Sequence, residues 1–376
     1  MPNNQLPEPD FGLGDIPASP PVHYAEQALL GALLLDPQRI KAIGPLEPEH
    51  FASARHRALF AAMAALTPPA PALHAKEPVW INAVLAHARP HSRGLALPYL
   101  HSLAGACPQP AHAPAYARMV RSDHARRTVR AHAELLIHAA TDTSLPDPAT
   151  VTLSRADSLT SVLDNLATAF PSHPGSLPRT SPPPPPNRDT GPNVASEEQL
   201  LLSTAAAHPA ALPTMRWLRP EDFAIPLHGA LYRCLTALAA RGDPVDEVTV
   251  LWEAQQHGLL TPAFAAQDAL ELLAASAGTP EHWGEQILRR SLLHNAHTAV
   301  LHIQAFAQDP ANSPHQLVTG SRRALADLTA VRARWQHATG QPPAERPRPR
   351  PAPASRAGPL TTHATRTPTV SSRSSR

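Results

Sequence analysis

Histidine is abundant in this chain, so the first chemistry to test is metal binding. His294 and His297 are three positions apart in a helical pattern, and their imidazoles can therefore share one helix face. Zinc needs three or four ligands, and neither an H-E-x-x-H sequence nor a nearby carboxylate completes this pair. His87 and His91 flank Pro90, which interrupts the helix that they would need. We expect no metal site and no cofactor.

The sequence also lacks the patterns of nucleotide binding and nucleophilic catalysis. A phosphate-binding loop of the form G-x-x-x-x-G-K-[ST] places a glycine directly before its lysine. The two lysines, Lys41 and Lys76, follow Ile and Ala. No G-x-S-x-G pattern is present to position a serine nucleophile. Cys107 and Cys234 are too few for a disulfide framework. We therefore expect a protein without catalytic residues.

Two Pro-rich stretches divide the 376 residues. Residues 171–193 contain five consecutive prolines, and proline both removes a backbone donor and clashes with the preceding turn. This segment is predicted to be an extended polyproline II spacer of 23 residues. The resulting division is a disordered N-terminus (1–21), a first domain (22–170), the linker (171–193), a second domain (194–338) and a disordered basic tail (339–376).

The basic charge is concentrated in that tail. Residues 341–376 hold seven arginines and one acid, a net charge of +6, whereas the whole chain is +2. Arg346, Arg348 and Arg350 alternate with proline and are candidate contacts to nucleic acid phosphates. The same alternation also fits a polyproline ligand, and a simple solvated tail is the third interpretation.

The two blocks beside the linker have helical patterns, and strand patterns are nearly absent. Residues 116–140 lack proline and glycine, and after a Pro-containing turn a second helical pattern covers residues 150–169. This predicts an antiparallel helical hairpin. The N-terminus has no signal-peptide pattern, and the longest apolar run, residues 28–35, is too short for a membrane span. We expect a soluble cytoplasmic protein.

An internal repeat organises both blocks. A shift of 172 residues places Glu26 on Glu198, Trp80 on Trp252, and His56 on His228 without a gap. Beyond residue 108 the shift falls to 167, which pairs Tyr116 with Trp283. The repeated histidines are expected to be partly buried hydrogen-bonding residues. The candidate core residues of the repeat are Leu29, Phe51, Leu59, Phe60, Leu201, Phe223, Leu231 and Tyr232.

The first copy resembles the N-terminal domain of DnaB-type replicative helicases. The resemblance rests on the series Ala25 to Gly31, Leu34 to Pro37, Phe51, His56-Arg57, Leu59-Phe60, Met63, Tyr99-Leu100, Leu103, Pro108, Tyr116 to Arg121 and Arg126-Arg127. The second copy is similar at Gly242 to Asp246, a turn that the first copy has lost. The helicase motor is absent from the sequence.

The resemblance implies an all-α fold, with two small helical bundles that are each followed by an antiparallel hairpin. In the family this region pairs through the hairpin and docks primase. The expected function is therefore a non-enzymatic interaction module that binds primase or replicative helicase. The implied docking residues are Tyr116, Arg121, Arg126, Trp283 and Arg289.

Because both copies lie on one chain, we expect an intramolecular pseudo-dimer in which hairpin 111–170 packs on hairpin 281–338. The chain would then be a monomer with this internal pairing, or a higher oligomer of it. Two alternatives remain open from the sequence: a DNA-associated regulator that uses the arginine tail, and an accessory subunit of a helicase. No membrane partner is expected.

Overall fold

The computed structural model describes residues 19–340, and this part of the chain is all-α, as predicted. It contains thirteen α-helices and no strand. The tail arginines Arg346, Arg348 and Arg350 lie outside the described residues, as does the predicted N-terminal disorder up to residue 18. The helices are α1 (Pro21–Leu35), α2 (Ala54–Ala65), α3 (Pro71–His74), α4 (Val79–Ala88), α5 (Leu97–Gly105), α6 (Ala113–Thr141), α7 (Pro148–Ala169), α8 (Pro192–Ala207), α9 (Pro226–Arg241), α10 (Glu247–Gln256), α11 (Ala266–Ala274), α12 (Pro280–Gln308) and α13 (Pro314–Ala338).

Many of the prolines in residues 19–340 mark where helices begin. Nine of the thirteen helices described have proline in the first two positions, where its missing N–H would lack a partner in any case. Side chains cap the hairpin helices as well: Asp147 accepts from the Thr150 N–H, and Ser313 accepts from the Gln316 N–H. Within residues 19–340, no helix is long and apolar enough to cross a bilayer.

Each copy consists of a head followed by a long hairpin. In the first copy, α1, α2, α4 and α5 form the head, and α6 and α7 form hairpin 1. In the second copy, α8 to α11 form the head, and α12 and α13 form hairpin 2. The two hairpins contact each other, chiefly through α6 on α12 and α7 on α13.

The eight repeat-core residues are all buried in their heads. The two heads pack their aromatic rings in the same way: the rings of Phe51 and Phe60 are 5.0 Å apart, and those of Phe223 and Tyr232 are 5.2 Å apart. These aromatic pairs join the second helix of each head to the loop before it. The repeat in the sequence therefore corresponds to a repeat in the fold.

The tryptophans matched by the 172-residue shift are not equivalent in the structure. Trp80 is 2% exposed and donates its indole N–H to the Leu33 carbonyl at 3.0 Å, whereas Trp252 is 61% exposed. Val250 is the buried residue near the start of α10. The difference arises in the segment before α4 and before α10. The first copy has the short α3 there, whereas the second copy has a longer α9 followed by a tight turn.

The apolar core is divided differently from the sequence repeat. One core contains the first head and the start of α6 up to Val120. The other begins at Val129 of the same helix, continues through α7, and includes hairpin 2 and the second head. Helix α6, with 29 residues, is about 43 Å long and reaches from one core into the other. The far half of hairpin 1 is thus packed with the second copy.

The linker contains no helix before Pro192, but it is not a free spacer. The Arg179 N–H donates to Asn312 Oδ1 at 2.8 Å, and His302 Nε2 is 3.1 Å from the Pro183 carbonyl. A Cβ on Gly320 would lie 2.4 Å from Pro178, so the glycine permits the linker to lie close against α13. The linker therefore runs along hairpin 2.

Candidate interaction site

A buried glutamate and histidine fix the first head. Glu26 Oε1 accepts from the Ala52 N–H at 2.5 Å, and Glu26 Oε2 is 2.6 Å from His56 Nδ1. Because a carboxylate only accepts, His56 Nδ1 carries a proton in this pair. His56 Nε2 is 2.7 Å from the hydroxyl of Tyr99, whose pKa is raised mainly by burial. The network ties α1 to the start of α2 and to α5.

The second head repeats this arrangement. Glu198 Oε1 accepts from the Ala224 N–H at 2.6 Å, and Glu198 Oε2 is 2.9 Å from His228 Nδ1. The pairs were visible in the sequence as matched Glu and His residues. That each Glu bonds to its His was missed, although a constant separation of 30 residues in both copies was a usable signal. The pair positions the start of a helix in each head.

The centre of the candidate interaction site is where hairpin 1 meets the α12–α13 turn. Arg126 donates to the carbonyls of Ala307 at 3.0 Å, Asp309 at 2.7 Å and Asn312 at 2.7 Å. Arg130 also donates to the Ala307 carbonyl, at 3.0 Å. The last carbonyls of a helix lack intrahelical partners and carry partial negative charge. Two arginines of α6 therefore cap the C-terminal end of α12.

Burial lowers the pKa of Arg126, because the charged guanidinium loses water, while the nearby Asp123 and Asp309 carboxylates raise it. The neighbouring linker contacts the same turn. Asn312 Nδ2 donates to Thr180 Oγ1 at 2.8 Å, and Thr180 in turn donates to the Asp309 carboxylate. Hairpin 1, the linker and hairpin 2 are thus bonded together at one turn.

Apolar and charged contacts extend along the rest of the hairpin pair. Val129, Ala133 and Leu136 of α6 belong to the same core as residues of α12, namely Ala296, Ala299, Val300 and Ile303. On the outer side, Arg332 of α13 forms a bidentate pair with Asp157 of α7, and Arg322 Nη2 lies 2.5 Å from Asp164 Oδ1. The outer pairs are exposed, so the apolar core contributes most of the stability.

The five predicted docking residues are distributed over four places. Arg126 alone bonds to the other copy, whereas Arg121 donates to the Pro45 carbonyl of its own head at 3.1 Å. Tyr116 is partly buried against the first head, and Trp283 donates to the Ala277 carbonyl at 2.6 Å in the second. Arg289 lies near Asp147. The pKa of Asp147 is lowered mainly by the Thr150 hydroxyl, and the charge of Arg289 makes the smallest contribution.

The junction between head and hairpin differs in the two copies. In the first, the rings of His50 and His124 are 4.6 Å apart, and burial followed by the charges of His50 and Arg127 lowers the pKa of His124 to about 4. In the second, the equivalent residues are Asp222 and Ser291, whose side chains are hydrogen-bonded at 2.7 Å. The Arg334 guanidinium of α13 pairs with Asp222 too, so both helices of hairpin 2 are bonded to their own head.

His294 and His297, the pair that is three positions apart in the sequence, both lie on α12. Burial lowers the pKa of His294 to about 4, with smaller effects from Arg188 and His297. Within residues 19–340, no group of three or more His, Cys, Asp or Glu side chains is arranged to hold a metal ion.

Two helical heads with paired hairpins define an all-α protein built from two tandem domains. Comparison with known families identifies the family of these domains. The model of the DnaB-like helicase N terminal domain matches residues 18–122 and 191–287, more than half of the chain. The chain belongs to the DnaB-like helicase N-terminal domain family, in which it carries two copies of the domain. Both matches end in the first third of α6 and α12. No solved structure matches the chain.

Proposed function

We propose that the chain is a non-enzymatic interaction module of the DNA replication machinery, whose two domains pair as an intramolecular pseudo-dimer and dock primase or the replicative helicase. The observation that carries this proposal is the contact of α6 with α12 through a shared apolar core and the Arg126 cap. The resemblance to DnaB-type domains implies hairpin pairing between two chains, and this chain supplies both hairpins itself.

The direction of the helices supports a two-fold pairing. Arg126, in the middle of α6, lies at the turn that ends α12. Arg289, near the head end of α12, lies close to Asp147 at the turn that ends α6. Helices α6 and α12 are therefore antiparallel, as in an isologous contact between two equal subunits. The two heads extend from opposite ends of the hairpin pair and are available for partners.

The absence of catalysis is part of the proposal. Because neither Lys41 nor Lys76 follows a glycine, a Walker lysine is missing from the sequence given. The buried Glu26–His56 pair makes its short hydrogen bonds to groups of its own head. Recognition by the surfaces of the heads is the function that remains for this part of the chain.

A direct binding measurement tests the partner class. The full chain is immobilised and exposed separately to purified primase and purified replicative helicase of its own cell. We expect one of them to bind. Met119 of α6 is 53% exposed next to the first head, so Met119→Asp is expected to weaken binding, whereas Leu135→Asp at the far end of α6 is the matched control. Binding of neither protein would reject the replication role.

The pairing itself is tested by mass and shape. A chain whose hairpins pair in cis is expected to have the mass of one chain by light scattering over a wide concentration range. Small-angle scattering should give the dimensions of the paired hairpins. A stable two-chain particle, with hairpin 1 of one chain cross-linked to hairpin 2 of the other, would contradict the intramolecular pairing.

A further inference from the structure

The most exposed large apolar side chains of the second head lie on α10. Val248 is 67% and Trp252 is 61% exposed, and their spacing of four residues places them on one helix face. Tryptophan is among the residues most often found as a binding anchor. In the first copy the matched tryptophan, Trp80 of α4, is buried instead. This face, formed by Val248 and Trp252, is called the α10 face below.

The α10 face lies in the most acidic part of the second head. Residues 242–275, which contain α10 and α11, carry six Asp or Glu and no Lys or Arg. Arg241, just before them, binds the Asp243 and Glu253 carboxylates. The other four acids are exposed and have no ion pair within residues 19–340: Asp246, Glu247, Asp268 and Glu271. Asp246 and Glu247 lie at the start of α10, Asp268 and Glu271 lie on α11, and these two helices pack together.

The matching occupant is in the same chain. Residues 341–376 have a net charge of +6, equal and opposite to the formal charge of residues 242–275. Arginine side chains stack on tryptophan rings as well as pairing with carboxylates. Proline-rich segments dock on exposed aromatic residues. Arg346, Arg348 and Arg350 combine these properties, since each is followed by a proline.

The tail is long enough to reach the α10 face. Arg334, near the end of α13, contacts Asp222 just before α9, and α10 begins just beyond the other end of α9. Helix α9 has 16 residues and is about 24 Å long. The ten residues that follow Gly340, up to Arg350, span up to about 33 Å when extended.

We propose that the Arg-Pro segment of residues 346–351 docks in cis on the α10 face, with an arginine stacked on Trp252 and its neighbours paired with the acids around it. The docked tail covers an apolar surface that would otherwise be open to other chains. It also withholds the arginines from phosphates. High salt is expected to weaken the contact, because exposed ion pairs are screened.

Acrylamide quenching of tryptophan fluorescence in the full chain tests the contact. Trp80, Trp217 and Trp335 are buried and Trp283 is partly buried, so Trp252 dominates the quenching. Replacing Arg346, Arg348 and Arg350 with glutamine is expected to raise the quenching constant about two-fold, because a stacked guanidinium shields a ring face. The Trp252→Phe variant should abolish the difference. An unchanged quenching constant in the triple variant would overturn the proposal.

Matched variants separate specific docking from general charge. Replacement of Arg366, Arg373 and Arg376 removes the same charge without the proline alternation and should have a much smaller effect. Reversing the face with Glu247→Arg and Glu271→Arg should raise Trp252 quenching, whereas Glu134→Arg, an exposed reversal on α6, should not. Quenching differences that grow with protein concentration, together with a two-chain mass, would show docking between chains and overturn docking in cis.

Discussion

The contact between Arg126 and the α12–α13 turn leads to a quantitative prediction for Arg126→Ala. The guanidinium makes three hydrogen bonds to carbonyls at 2.7 to 3.0 Å. Hydrogen bonds to charged groups contribute about 1.5–3 kcal/mol each, but three bonds from one half-exposed side chain are not additive. Arg130 also keeps its bond to the Ala307 carbonyl. We therefore expect a loss of about 3 kcal/mol in the unfolding free energy of the second core.

Urea unfolding measures this loss. With a denaturant slope of about 2–3 kcal/mol/M, the midpoint of the second core should fall by about 1 M. Because the two cores need not unfold together, hydrogen exchange read by mass spectrometry assigns the change. Protection should fall in α7, α12 and α13 and remain in α2 and α4, which lie in the first core.

Two further variants make the test specific. Arg126→Lys keeps the charge but loses the planar fork, so it should recover part of the stability. Arg118→Ala removes an exposed arginine from the same helix and should change stability by less than about 0.5 kcal/mol. If Arg126→Ala is no more destabilising than Arg118→Ala, the argument that this residue fastens hairpin 1 to hairpin 2 is wrong.

Three other predictions follow from the buried contacts. Glu26→Ala should destabilise the first head by about 3–5 kcal/mol, because it leaves a buried His and two backbone N–H groups without their acceptor; thermal unfolding measures this. Gly320→Ala should lower the melting temperature and increase proteolysis of the linker, because the new Cβ would overlap Pro178. The depressed pKa of His124 in the folded chain means that protonation opposes folding, so stability is full above about pH 6.5 and falls toward pH 4; His124→Gln should flatten this part of a pH–stability curve.

Each of these predictions has a matched control in the chain. Glu49→Ala removes an exposed acid and should have little effect on the first head. Gly105→Ala places its Cβ in open space, so it should be neutral or slightly stabilising, opposite in sign to Gly320→Ala. His101 is exposed, and His101→Gln is the matched histidine replacement for His124→Gln. Equal effects in a variant and its control would contradict the corresponding contact.

The sequence predicted those features that depend on local pattern and on matched residues. The helical hairpins and the buried aromatic residues of each head followed from residue pattern and from the repeat. It did not predict that Trp252 is exposed. A match of residue types at a fixed shift does not reveal that the preceding helix, α9, is longer than its counterpart α2. The contacts of the Arg179 N–H and the Pro183 carbonyl were missed because backbone groups leave no residue signature in the sequence.

The Arg126 cap explains why the two hairpins have been able to diverge. In an isologous dimer every contact occurs twice, so a residue that caps the partner's turn must be present in both subunits. By the 167-residue shift, Arg126 and Arg130 correspond to Leu293 and His297, which cannot form the same bonds. A cap made once is sufficient here, because the covalent linker gives the second hairpin a high effective concentration. The surface of α12 at Leu293 and His297 therefore does not have to form a second copy of the cap. The double variant Arg126→Leu with Leu293→Arg should accordingly not restore the stability that Arg126→Leu removes.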